Sequence, residues 1–411
     1  MSSLGANTIR VYHVDPTGNH DGCMSTFASY GIYLFLDLDT FDTQFEQTIP
    51  YWNQTQLSAF TAVLDAFHDY SNLAGVFVAN EALTFLNKSD LAPFIKAGIR
   101  DVKAYRESKK YRPIPIGYAG ADITELRPML QNYLACSSDD DVTADFFALN
   151  VYEWCGKSSF KQSGYIDLVK NASSLQIPIF ISETGCREPR PRLFDDQASI
   201  FGPDMSDSWS GAIIYEWIEE ANNYGLISYG AKVDEADEEA LDGYPRAGTP
   251  TPVSPDFSNL KKQWATLHPK GMNLGDYRDD SKVLTPVSCP SSTAGDWIVD
   301  AEAALPSLGQ ILDRATATPT PISGAGAAKP SESKKSAGNG RQPKIVRALP
   351  FIGLSALFGL GGCITNGMLF EQGHVTWAFA VAHFGLYGIS FPLILYLAFR
   401  SREAGRRGLP T

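Results

Sequence analysis

The chain has 411 residues, of which 44% are hydrophobic and 19% charged, and a formal net charge of −12. That length can bury a substantial core and suits one barrel-sized domain with extensions. The acidic balance argues against nucleic acid or an acidic membrane surface as the main partner, and the 12% aromatic content suits a sugar-binding cleft and a large core equally.

The first strand-like segment, NTIRVYHV, begins only a few residues from Met1. No basic start, apolar h-region or cleavage site precedes it, so the expectation is that the beginning of the protein is missing. Six further apolar segments follow: IYLFLDL, LAGVFVAN, IPIGYAG, FFALNVYEW, IPIFISE and GAIIYEW. Between them lie amphipathic helical patterns such as LSAFTAVLDAFHDY and LAPFIKAGIRDVKAYRES, with apolar residues at helical spacing. Strand and helix in alternation mean βαβ units and a parallel sheet. Seven strands are about one short of a closed (β/α)8 barrel, so the expected fold is a TIM-type barrel lacking its first strand and helix. An open doubly wound sheet is the alternative, but its GxGxxG phosphate fingerprint is absent.

Two of these strand-like runs end on a glutamate, Glu81 after GVFVAN and Glu183 in PIFISE. The C-terminal ends of barrel strands form the active-site face, and two carboxyl groups there from different strands are what glycoside hydrolysis requires. Either glutamate alone reads equally well as a strand cap beside a solvated loop. Trp154 and Trp217 lie just past strand ends, where each is a pyranose-stacking ring or a buried wedge.

After the seventh segment come an acidic stretch, KVDEADEEALD, and a Pro/Thr-rich stretch, both read as solvated loop. A helical piece, NLKKQWATLH, then leads towards Cys289. Residues 291–343 read as a linker rich in Ser, Thr, Pro, Gly and Ala. Within 344–411, Ala348–Phe370 and Val375–Phe399 are each long and apolar enough to cross a hydrocarbon core of roughly 30 Å. Lys344 and Arg347 before them, and Arg400, Arg402, Arg406 and Arg407 after them, would place both ends of such a hairpin on the cytoplasmic side. That conflicts with the rest of the chain. Six separated cysteines, without a CxxC or Cys/His cluster that would suggest zinc, and sequons at Asn53, Asn87 and Asn171 favour an oxidising, secreted environment.

The segments LGANTIRVYHVDP, HDGCM, LAGVFVANE, PFIKAGIRDVKAY, YRPIPIGYAG, ADFFALNVYEWCG, PIFISETGC, PRLF and SDSWSGAIIYEWIEE, in this order over roughly residues 4–290, resemble the fungal cell-wall β-1,3-glucanosyltransferases of glycoside hydrolase family 72. The resemblance implies an enzyme with no metal or organic cofactor. It would cleave a β-1,3-glucan donor and transfer the new reducing end to an acceptor glucan, on the outer face of the plasma membrane or in the wall. It makes Glu81, after Asn80, the acid/base and Glu183 the nucleophile. Tyr12, Asp37, Asn80, Tyr152 and Tyr215 become substrate-binding positions, Asn80 through the sugar 2-hydroxyl, with Tyr152 or Tyr215 able to hold the nucleophile.

Thr184 stands where the family usually has an aromatic, a change expected to touch the cleft lining, and Glu216 is a second departure. The resemblance also pairs Cys155 with Cys186 and Cys136 with Cys289, and would pair Cys23 with a cysteine in the missing N-terminal part. By this reading residues 1–290 are the catalytic domain, and membrane attachment falls to the tail. Charged Glu183 is expected to raise the pKa of Glu81 and keep it an acid. Plain endo-β-1,3-glucanase hydrolysis and an inactive glucan-binding membrane protein remain as alternatives, the latter because an incomplete barrel exposes strand edges.

Overall fold

The computed structural model describes residues 1–312, apart from 138, 234–239, 270–285 and 294. Seven strands form one parallel sheet in sequential order: β1 Thr8–Val11, β2 Tyr33–Asp37, β3 Leu73–Asn80, β4 Ile116–Ala121, β5 Phe146–Asn150, β6 Ile179–Thr184 and β7 Ala212–Ile214. Each expected strand is present. Strands covered on both faces read as unbroken apolar runs, and all five residues of β5 are buried.

The crossovers carry helices α1 Asp21–Ser29, α2 Gln54–Phe67, α3 Ala92–Ser108, α4 Arg127–Ala135, α5 Tyr165–Ala172 and α6 Asp196–Ile200. α7, Asp256–Trp264, follows β7 and a two-stranded ribbon of β8 Ile227–Ser228 with β9 Thr251–Pro252. Helix α2 starts at a capping box in which the Asn53 side chain accepts from the Gln56 amide while Gln56 reaches back to the Asn53 amide.

The sheet curls into a nearly closed barrel. β1 and β7 come within 8 Å of each other, Cα to Cα, but share no backbone register among the described residues. A cavity of about 90 Å³ lies along this seam, lined by Ile9 of β1 and Ile213 and Ile214 of β7 among others.

The barrel interior is built in layers. Phe77, Ala119, Phe146, Ala148 and Phe180 form an apolar plug, with Phe35 and Ile213 against it. Phe35 and Phe180 lie 4.8 Å apart and Phe77 and Phe146 5.2 Å, ring centre to ring centre. Gly117 makes room for this plug, since a Cβ there would sit 2.5 Å from the Phe146 ring.

Above the plug the chemistry turns polar. Asp37 follows Phe35 by two residues and Asn150 follows Ala148 by two, as strand alternation requires. Asn80 and Glu183 follow Phe77 and Phe180 by three, and register irregularities fall between Phe77 and Asn80 and at the top of β5–β6. One extra residue per strand turns these two side chains to the inner face.

The segment expected to begin a linker at residue 291 is partly docked on the barrel. Tyr51 and Ile311 form an antiparallel bridge, and Gly309 N donates to Trp52 O at 2.7 Å. Trp297 is buried edge-on to Tyr133. Composition misses this because one aromatic anchor, Trp297, and a few backbone bonds are enough to hold a polar strap. Cys136, just after α4, is bonded to Cys289, and Cys155 to Cys186; Cys23 is in no disulfide. Among the described residues no helix is long and apolar enough to cross a membrane. The two expected apolar spans and most of the linker lie outside the described residues.

Candidate active site

The polar layer is organised by Arg10 on β1. Its guanidinium is fully enclosed and makes a bidentate pair with Asp37, Nε to Oδ1 at 2.9 Å and Nη2 to Oδ2 at 2.6 Å. Nη2 also donates to Asn80 Oδ1 at 2.9 Å, and Nη1 reaches Asn150 Oδ1 and Glu183 Oε1, both at 3.4 Å. Burial pulls an arginine down, but Asp37, Tyr12 and Glu183 together outweigh it and hold Arg10 firmly protonated. A charge so enclosed requires paired, hydrogen-bonded partners.

Asn150 bonds Glu81 directly and is connected to Glu183 through Arg10. Its Nδ2 donates to Glu81 Oε1 at 2.9 Å and to Asn80 Oδ1 at 3.0 Å. Its Oδ1 accepts from Ser182 Oγ at 2.8 Å and faces Arg10. Glu81 and Glu183 therefore border a common polar layer, reached from the ends of β3 and β6. Glu81 itself sits at φ 48°, a left-handed conformation uncommon for a residue with a side chain. Its amide donates to Ala119 O at 2.8 Å, and Leu83 N donates to the Tyr118 hydroxyl at 3.3 Å. These bonds hold the chain where it turns out of β3.

Glu183 is gripped from two sides. Tyr12 donates to Oε1 at 2.6 Å and Tyr152 to Oε2 at 3.0 Å. Its side chain is 12% exposed. Burial pushes its carboxyl up to about 7; Arg10 opposes, Glu81 adds to the push, and the two tyrosine hydroxyls oppose it again. Burial is the largest of these effects because aromatic rings close Glu183 in. Burial, with Glu183 close by, keeps the hydroxyls of Tyr12 and Tyr152 protonated and donating.

Tyr215 plays a different part from Tyr152. Its hydroxyl accepts from Asn222 Nδ2 at 3.4 Å, and its ring stands edge-on to Tyr12 at 6.4 Å and to Tyr224 at 5.2 Å. Tyr224 in turn lies edge-on to Tyr152 at 6.0 Å. Tyr12, Tyr215, Tyr224 and Tyr152 thus form a chain of edge-on rings, whose two end members hold Glu183.

Three residues of this site were not singled out from the sequence. Arg10 and Asn150 each had a signal, a charged or amide side chain inside an otherwise apolar strand. Tyr224 had none, since it lies in a loop. Asn80 accepts at its carbonyl oxygen from both Arg10 and Asn150.

One expectation needs correction, and one of two open readings is decided. Thr184 does not line the cleft: it is buried, and its hydroxyl donates to Asp196 Oδ2 at 3.3 Å, on the helix side of the sheet. Strand alternation sends it outward once Glu183 faces in. Trp217 packs in a cluster with Leu4, Phe194, Leu226 and Leu260 and is a wedge. Trp154 leans on Tyr165, ring centres 5.3 Å apart. Glu216 is half-buried, and burial together with Glu220 pushes its carboxyl up to about 8.

A parallel β/α barrel with two carboxyl groups facing a shared polar layer at its C-terminal end has the form of a glycoside hydrolase site. The glucanosyltransferase family model matches residues 1–266, and the chain belongs to that family, glycoside hydrolase family 72. It is 38% identical over 308 residues to 1,3-beta-glucanosyltransferase gas2 of Schizosaccharomyces pombe, covering 74% of this chain and 63% of the relative. It is 44% identical over 297 residues to pH-responsive protein 2 of Candida albicans, covering 72% and 51%. Among solved structures, Saccharomyces cerevisiae Gas2p in complex with laminaritetraose and laminaripentaose superposes with a TM-score of 0.64 at 35% identity, over 74% of this chain and 63% of that one. The chain thus spans between half and two thirds of the length of these relatives.

Proposed function

We propose that the chain is a retaining β-1,3-glucanosyltransferase in which Glu183 is the nucleophile and Glu81 the acid/base. One observation carries the assignment of roles: Glu183 is oriented by hydrogen bonds from two tyrosines and faces Arg10, contacts that oppose the upward push of burial and stabilise its carboxylate as it is regained, whereas Glu81 takes a single amide donor from Asn150. Retaining chemistry places such groups about 5 Å apart.

In the first step a Glu183 oxygen attacks the anomeric carbon of the donor and forms an ester. The glycosidic C–O bond breaks, and the Glu81 proton goes to the departing sugar oxygen. In the second step a hydroxyl of the acceptor chain gives its proton to Glu81 and attacks the same carbon, and the ester breaks to return Glu183 as a carboxylate. Arg10 and the two tyrosine hydroxyls are placed in advance around the charge that Glu183 regains. Asn80 presents its amide nitrogen to the sugar 2-hydroxyl. The substrate class follows from the family and from laminari-oligosaccharides bound to Gas2p. The two disulfides support a site of action in an oxidising compartment outside the cytosol, and attachment to the membrane through residues 344–411 is part of the same proposal.

Incubation of the full chain with laminari-oligosaccharides tests the reading. Products longer than the substrate arise only by transfer; exclusively shorter products identify an endo-β-1,3-glucanase, and intact substrate with measurable binding identifies a glucan-binding protein.

A further inference from the structure

Phe41 and Phe85 are the described phenylalanines that face solvent, 47% and 60% exposed. Phenylalanine has no polar atom to justify exposure, and isolated exposed apolar residues are ordinary on any surface. These two are not scattered. Phe41 lies four residues beyond Asp37 at the end of β2, and Phe85 four residues beyond Glu81 at the end of β3. Both therefore stand on the catalytic rim, on neighbouring loops.

Those loops are held together and to the site. Gln47 Nε2 donates to Thr84 Oγ1 at 2.8 Å, and Thr84 N donates back to Gln47 Oε1 at 3.1 Å. The Phe41 ring packs 5.1 Å from the ring of His13, the residue after Tyr12, and His13 Nδ1 is bonded to Asp39 O at 2.7 Å. The loop from β3 is fixed at its root by Leu83 N on the Tyr118 hydroxyl. The backbones under both rings are braced, so the rings are presented without the entropy cost of ordering a loose loop.

We propose that Phe41 and Phe85 form a stacking platform for the part of the glucan on the leaving-group side, where the acceptor chain also binds. This rests on the proposed glucanosyl transfer. The acid/base protonates the departing oxygen, so the loop that carries Glu81 borders the sugars beyond the scissile bond. A pyranose ring presents a face of C–H groups, and a flat apolar ring covers that face better than it covers water. Phe85, in the same loop as Glu81, takes the sugars nearer the bond, and Phe41 extends the track towards β2. Gripping the acceptor here favours sugar over water in the second step.

The test uses a reduced laminari-oligosaccharide donor and a separately labelled laminari-oligosaccharide acceptor, with the full chain and its F41A, F85A and F85W variants. F85A is expected to raise the acceptor KM about tenfold and F41A several-fold, with the loss recovered at saturating acceptor and reversed in F85W. Acceptor KM unchanged in both alanine variants overturns the platform, as does a loss of kcat that high acceptor does not restore. A binding readout separates this from the function itself: in an E183Q background, calorimetry with laminaripentaose should show about tenfold weaker binding for F85A even if the parent chain transfers nothing. Equal binding there overturns the proposal whatever the activity.

Discussion

Tyr12 of the β1 end and Glu183 of β6 are joined at 2.6 Å across the side of the barrel where β1 and β7 share no backbone pairing. Arg10 makes a second crossing to the same carboxylate at 3.4 Å. The side chains that shape the surroundings of Glu183 thus also link the two sides of the open seam, so barrel closure and the state of Glu183 are physically coupled.

In the proposed reaction, replacing either glutamate by glutamine removes a group that makes or breaks a bond. Glu183→Gln and Glu81→Gln should each lower transfer by about three orders of magnitude or more, with far-ultraviolet circular dichroism unchanged. Transfer at the parent's rate in Glu183→Gln would remove it from the nucleophile's role.

The same Glu183→Gln substitution should make the fold more stable at neutral pH. Glu183 is raised from an ordinary 4.5 to about 7, so the unfolded chain loses that proton first. Its contribution is neutral below pH 4.5, and stability is lost as pH rises from there to about 7. Denaturant melts of the parent and Glu183→Gln should differ by about 1–3 kcal/mol at pH 8 and converge near pH 4. A constant difference at both values would mean the burial of charge is not the cause.

Tyr12→Phe and Tyr152→Phe each delete a donor to the Glu183 carboxylate. Fewer donors disfavour the ionised form, so the acid limb of kcat/KM should move to higher pH. Activity at pH 6 should fall more than activity at pH 8. A pH profile that drops uniformly, with its limb in place, would assign the hydroxyls to substrate binding alone.

Arg10→Met strands Asp37 in a buried position. Breaking one partner of such a pair costs about 3–5 kcal/mol. Urea denaturation should show that loss, and Arg10→Met/Asp37→Leu should recover part of the stability without recovering turnover.

Joint replacement of Cys136 and Cys289 by serine opens a link across 153 residues and should cost about 2–5 kcal/mol. The active-site layer does not depend on that link, so transfer well below the new melting temperature should persist. Loss of transfer in parallel with no change in melting would contradict a purely structural role.

Alternation and helical spacing made the seven strands and their crossovers legible in the chain. The runs around Phe146 and Ile179 are apolar throughout because both faces of a parallel sheet are covered. Glu81 and Glu183 were legible too, each a charge ending such a run. What escaped was direction. Thr184 was assigned to the cleft because the extra residue in β6 cannot be seen in sequence, yet it decides which neighbour faces inward. The sequence leaves Trp217 open for a different reason: only its packing against Leu4, Phe194, Leu226 and Leu260, residues far apart in the chain, makes it a wedge.

By itself, then, the sequence determined a parallel strand–helix repeat, the two acidic strand ends and the family, since each is written in local periodicity or contiguous motifs. Tertiary structure alone decided that Arg10, Asp37, Asn80, Asn150 and Glu183 share one buried layer, that Tyr12 and Tyr152 both hold Glu183, and that burial falls on that carboxyl. Those relations join residues up to 173 positions apart, and proximity at that separation comes from closing the sheet on itself, which no stretch of chain encodes alone.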